Sequence, residues 1–99
     1  MFVHSVYFWL KDDLSAEEKE SFLQGVNSLT TIETVRQSHV GVPAPTDRPI
    51  IERSYSYALI VAFDGQEGHD QYQIHETHDK FRDNCSAYWK KVLIFDSIG

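Results

Sequence analysis

A chain of 99 residues holds one domain, residues 1–99, with a core of about two layers. Hydrophobic residues make up 41% and aromatics 13%, too many for disorder at 24% charged residues. With 15 acidic against 9 basic residues the net charge is −6, and the cations are scattered rather than clustered, which excludes nucleic acid as a partner.

The lone Cys85 rules out an intramolecular disulfide and any cysteine-based zinc cluster. No apolar run approaches the roughly 20 residues of a membrane span, so no membrane partner is expected. Met1 leads directly into an alternating strand rather than a signal peptide, and a cytoplasmic setting follows as the expectation.

Phe2 to Leu10 reads as a strand of aromatic and β-branched residues. Phe2, His4, Val6, Phe8 and Leu10 share one face; Val3, Ser5, Tyr7 and Trp9 share the other. Both faces are largely apolar. Ser15 with Glu18 three residues later forms a capping box, and Phe22, Val26 and Leu29 follow at helical spacing. Thr34 to Val40 reads as a second strand. The three prolines between Gly41 and Pro49 mark a loop.

Ser54 to Phe63 reads as a third strand, with Tyr55, Tyr57, Leu59, Val61 and Phe63 on one face. Its other face carries Ser54, Ser56, Ala58, Ile60 and Ala62, small enough to admit a closely packed helix. Helical segments are predicted over 67–74 and 78–89, and a last strand over 92–98. The order is that of an α+β, ferredoxin-like βαββαβ plan, a four-stranded antiparallel sheet with helices on one face. Such a sheet leaves its second face bare, and neither apolar set on the first strand suits water. A homodimer is the expected remedy.

The densest polar constellation is Tyr72-Gln-Ile-His75-Glu-Thr-His78-Asp79. The His75/His78 pair has no evident third ligand and is one residue short of the H-E-x-x-H of metalloproteases, so no metal is expected. Asp96 continues the phase of Val92 and Ile94, which sets a carboxylate on a packed face, and buried carboxylates need partners. His4 is in a similar position among Val6 and Phe8. Together with His78 these residues outline a polar pocket at one end of the sheet. A carboxylate bonded to His78 would fix its tautomer and make it a general base.

The segments His4-Ser-Val-Tyr-Phe-Trp-Leu-Lys, Tyr72-x-x-His75-x-x-His78 and Lys91-Val-Leu-Ile-Phe-Asp96 resemble the stress-responsive A/B barrel family, the dimeric α+β barrel proteins, over essentially the whole chain. The resemblance implies a ferredoxin-like subunit paired into a central barrel. It also implies the site roles found in the family's polyketide cyclases, which use no cofactor. Their catalytic tyrosine and histidine fall on Tyr72 and His78, the aspartate that orients the histidine on Asp96, and a first-strand pocket histidine on His4. A further pocket histidine falls on Tyr57, which is a departure, and His75 joins the pocket set.

Three functional readings follow. The first is a family member binding a small hydrophobic or aromatic molecule between sheet and helices. The alternative is a cofactor-independent enzyme of cyclase-like carbanion chemistry, with His78 as base, Tyr72 on the enolate oxygen and Asp96 holding His78. The third, weaker, is a cofactor-free monooxygenase. The second reading expects a His78–Asp96 hydrogen bond of roughly 2.7–3.2 Å and a His78 pKa within about one unit of 6.5.

Overall fold

The fold is organised around β1 (Phe2–Leu10), the strand with apolar residues on both faces. A computed structural model describes residues 1–99 and continues as α1 (Ala16–Leu29), β2 (Gln37–Gly41), β3 (Tyr57–Phe63), α2 (Gln66–Gln73), α3 (Glu76–Cys85), a 3₁₀ turn (Ser86–Tyr88) and β4 (Trp89–Ile98). The strands form one antiparallel sheet in the order β2-β3-β1-β4. This is the ferredoxin-like arrangement that the element order predicts.

Burial along β1 alternates strictly, with Phe2, His4, Val6, Phe8 and Leu10 buried and the residues between them half-buried. The period of 2 thus divides the strand into a helix-covered face and an open face. Ser15 opens α1 as read: its hydroxyl accepts from the Glu18 N–H at 3.0 Å, while the Glu18 carboxylate accepts from the Ser15 N–H at 2.9 Å. Phe22, Val26 and Leu29 then drop into the core at full burial. Each such side chain contributes roughly 1.5–3 kcal/mol relative to exposure. Phe22 meets the rings of Phe8 at 5.2 Å and Phe81 at 6.1 Å, which joins β1, α1 and α3 in one aromatic cluster.

Gly25 sets the spacing of the two helices. A Cβ there would stand 2.6 Å from the Cys85 sulfur and 3.2 Å from the Phe81 ring. Cys85 is buried in this contact.

Several boundaries differ from the sequence reading. β2 starts at Gln37 rather than Thr34, because Thr34 donates its hydroxyl to the Gly68 carbonyl and the Val35 N–H closes a turn on Ile32. β3 starts at Tyr57 rather than Ser54, because the Ser54 amide and hydroxyl both turn to the Glu52 carboxylate. The second helical stretch runs 76–85 rather than 78–89, and Trp89 already belongs to β4.

The small-sided face of β3 is also corrected. Helices pack on the Leu59, Val61 and Phe63 face, where large side chains supply the area to bury. Ala58, Ile60 and Ala62 instead share the open face with Tyr7, Trp9, Leu93 and Phe95, to judge by register. There Leu93 and Phe95 are 41% and 60% exposed, and Tyr7 stacks edge-on with Tyr55 and Phe95.

Candidate functional site

The register of β1 against β4 sets His4 directly opposite Asp96. Facing residues on neighbouring strands project to the same side, here the helix-covered one. His4 Nδ1 lies 2.5 Å from Asp96 Oδ1. The imidazole is 3% exposed, whereas the carboxylate keeps 40% of its surface. A carboxylate accepts, so Nδ1 carries the hydrogen and Nε2 is left with the lone pair. Burial pulls the His4 pKa below its ordinary value, against the opposing pull of Asp96. At neutral pH the ring is neutral and can take a proton.

Above His4 lies the turn between α2 and α3. Tyr72, on the last turn of α2, is fully buried, with its ring 5.8 Å from His4 and 5.2 Å from His78. Its hydroxyl meets no hydrogen-bond partner in the protein. Burial raises the phenol pKa, so the group stays a proton-bearing donor throughout the physiological range.

His78 projects from the first turns of α3. Burial lowers its pKa to about 4, helped by the nearby Arg82 cation. Arg82 Nη2 donates to His78 Nδ1 at 3.3 Å. A guanidinium cannot accept, so the neutral His78 carries its hydrogen on Nε2. The two pocket histidines therefore hold opposite tautomers.

Two expectations are corrected here. Asp96 bonds to His4 rather than His78, because the strand register delivers it there and His78 sits one layer up on a helix. The His78 pKa falls well below the expected window, because no carboxylate bond offsets burial and Arg82 adds to it.

Tyr72, His4 and His78 share one cavity of about 240 Å³, whose wall is otherwise mostly apolar: Val6 and Phe8 from β1, Val92 and Ile94 from β4, Leu29, Leu59, Phe81 and Trp89. Gln73 and Arg82 complete it. Two of the sequence-chosen residues stand elsewhere. Tyr57 packs on Phe22 at 5.6 Å and borders a different, shallow groove beside Leu10 and Lys19. His75 is the N-cap of α3, its Nδ1 accepting from the Thr77 N–H at 3.0 Å, with Glu33 3.4 Å from its other nitrogen. Its role is structural: it ends one helix and starts the next.

The sequence reading overlooks His69, which carries no motif. It lies on α2 with its ring stacked 4.4 Å from Phe2 and 5.0 Å from His4. Its Nδ1 is 3.0 Å from Asp70, and its Nε2 is 4.0 Å from the second oxygen of Asp96. Its only sequence signal is its place one helical turn before Gln73. His4, His69 and Asp96 offer ligand atoms within 4.8 Å of one another, the donor set a divalent cation would take. However, ligands of one tetrahedral zinc stand roughly 3.3 Å apart at metal–ligand distances near 2.0–2.1 Å. At 2.5 Å, His4 and Asp96 are closer than that and form a hydrogen-bonded pair.

Comparison with known proteins agrees with this architecture. The chain is 29% identical to olivetolic acid cyclase from Cannabis sativa over 94 residues, 94% of this chain and 91% of the cyclase. A crystal structure of a dimeric ferredoxin-like protein of unknown function from Thermobifida fusca superposes with a TM-score of 0.78 at 17% identity, over 99% of this chain and 90% of the other. Hydroxynitrile lyase from Passiflora edulis superposes with a TM-score of 0.79 at 14% identity, over 99% of this chain and 92% of the lyase. The pattern of the Dabb family, the stress responsive A/B barrel domain, matches residues 2–98. The chain belongs to the stress responsive A/B barrel family.

Proposed function

We propose that the chain works as a homodimer whose pocket, between sheet and helices, binds a small, largely apolar carbonyl compound and moves a proton at the adjacent carbon. No cofactor takes part in the steps proposed. The observation that carries this reading is the Tyr72 hydroxyl, buried on an apolar wall without a protein partner. A buried donor left unmatched costs about 1–3 kcal/mol, and a ligand oxygen removes that cost. The cavity is at the small end for ligand sites, which commonly span roughly 300–1,000 Å³. One aromatic ring or a short chain suits it.

The tautomers assign the roles. His4 Nε2 takes the proton from carbon, and Asp96, bonded to Nδ1, steadies the imidazolium that forms. The C–H electron pair passes into the enolate. Tyr72 O–H and His78 Nε2–H donate to the enolate oxygen, the place where negative charge develops. In the alternative arrangement His78 is the base and His4 a pocket group. The Arg82 bond to His78 Nδ1 weighs against it, because that bond occupies the lone pair a base needs. The open sheet face, with exposed Leu93 and Phe95, is the surface for the second copy. The Thermobifida fusca relative, described as dimeric, supports that assembly.

Deuterium exchange into the methyl group of acetophenone in D₂O, followed by NMR, tests the reading. Exchange above the buffer rate is expected, with His4→Gln losing roughly 100- to 10,000-fold of the acceleration. An unaccelerated rate with wild-type protein contradicts proton transfer. Full activity in His4→Gln together with its loss in His78→Gln returns the base role to His78.

A further inference from the structure

Arg82 is the cation on the cavity wall, and it has no acidic partner within 4 Å. Lys11, Lys19, Arg48 and Lys91 likewise have no ion pair, and of these unpaired cations Arg82 is the one that lines this cavity. Arg36 meets Asp64 at 2.9 Å and Arg53 meets Asp47 at 3.5 Å, whereas the Arg82 guanidinium spends a donor on the neutral ring of His78. Arg82 is itself exposed, and Ile94 beside it on the wall is 53% exposed, so both stand at the mouth rather than the floor. The pocket thus has neutral donors deep inside and a free cation at its entrance.

We propose that the pocket selects ligands carrying a carboxylate, and that Arg82 is the group that recognises it. The inference rests on the small-molecule pocket argued above and specifies its ligand class. The guanidinium offers a planar fork of donors that matches a carboxylate bidentately, an interaction a lysine cannot reproduce. A ligand of about one ring, with its carbonyl on Tyr72 and its carboxylate at the mouth, fits a cavity of 240 Å³. Partial exposure lets the charge remain partly hydrated, which avoids the desolvation cost of a deeply buried pair. The carboxylate also offsets the cation that helps to keep His78 neutral, so binding raises the His78 pKa from about 4.

Titration calorimetry of the full chain at pH 7.5 with 4-acetylbenzoate and its uncharged counterpart 4-acetylbenzamide tests the proposal. The acid is expected to bind about tenfold more tightly at low salt, with the advantage shrinking at 0.3 M salt. Arg82→Gln should remove that advantage and bring acid and amide to the same affinity, with thermal melting reporting that the variant is folded. Arg82→Lys should keep only part of it. Equal binding of acid and amide to the wild-type protein overturns carboxylate selection and leaves the pocket standing. An Arg82→Gln variant that weakens both probes alike makes Arg82 a structural residue and overturns the proposal too. If neither probe binds, the small-molecule pocket itself fails, and carboxylate selection falls with it.

Discussion

The two faces of β1 differ by one residue in phase and by everything in use. The covered face carries Phe2, His4, Val6, Phe8 and Leu10 beneath the helices, with a single polar residue among apolar neighbours. The open face carries Tyr7 and Trp9, amphipathic rings that contact Tyr55, Phe95 and the Lys91 ammonium, the last at 4.5 Å from the Trp9 ring. The covered face is completed within the chain and leaves a small cavity around its polar groups. The open face is left for another surface. One strand therefore serves stability and chemistry on one side and assembly on the other.

Breaking the covered face should have the largest effect. Phe22 is fully buried against Phe8 and Phe81, so Phe22→Ala is expected to cost roughly 3–5 kcal/mol of unfolding free energy in urea titration. A loss below about 1 kcal/mol would mean that the aromatic cluster is not the core.

Charge on the open face should act on assembly instead. Trp9→Glu is expected to turn a homodimer into a monomer in sedimentation at micromolar concentration, and to remove the Trp9 Nε1 bond to Ser54, 3.0 Å long. Wild-type protein that sediments as a monomer contradicts the pairing of sheets.

The histidines on the covered side make stability depend on pH. His78 has a folded pKa of about 4 against an ordinary value of 6.5, and His4 is shifted in the same direction. Between those values the unfolded chain binds protons that the folded chain refuses. Stability is therefore full above pH 6.5 and falls as pH drops towards about 4. Allowing for solvent screening of a partly exposed ring, the His78 share is on the order of 2 kcal/mol. Melting curves from pH 7.5 to 4 should show this slope, and His78→Gln should flatten it.

The smallest effect on stability is expected at Tyr72. Its hydroxyl has no protein partner, so Tyr72→Phe should change stability by less than about 1 kcal/mol while slowing acetophenone exchange. A larger destabilisation would mean that the hydroxyl is bonded within the protein.

Much of this architecture is legible in the residues themselves. The alternation of β1, the capping box at Ser15 and the stripe of Phe22, Val26 and Leu29 are local patterns, and all three fold as read. The anomalies at His4 and Asp96 are legible too, since polar residues in an apolar phase demand partners. Which partner each takes is not local. It depends on strand register, and sequence periodicity carries no register between β1 and β4, so Asp96 goes to His4. His75 misleads for the opposite reason. It shares the motif with Tyr72 and His78, but the chain breaks its helix there, and the ring is spent on capping α3. His69 has no motif at all and reaches the site only through the packing of α2 on Phe2.

The claim on which the chemistry turns is that the two pocket histidines are neutral and of opposite tautomer. Long-range ¹H–¹⁵N NMR of the imidazole rings at pH 7 reads this directly. The account predicts His4 protonated on Nδ1 with a free Nε2, and His78 protonated on Nε2 with an unprotonated Nδ1 that accepts from Arg82. A His4 ring protonated on Nε2, or a His78 that is cationic at pH 7, would contradict it.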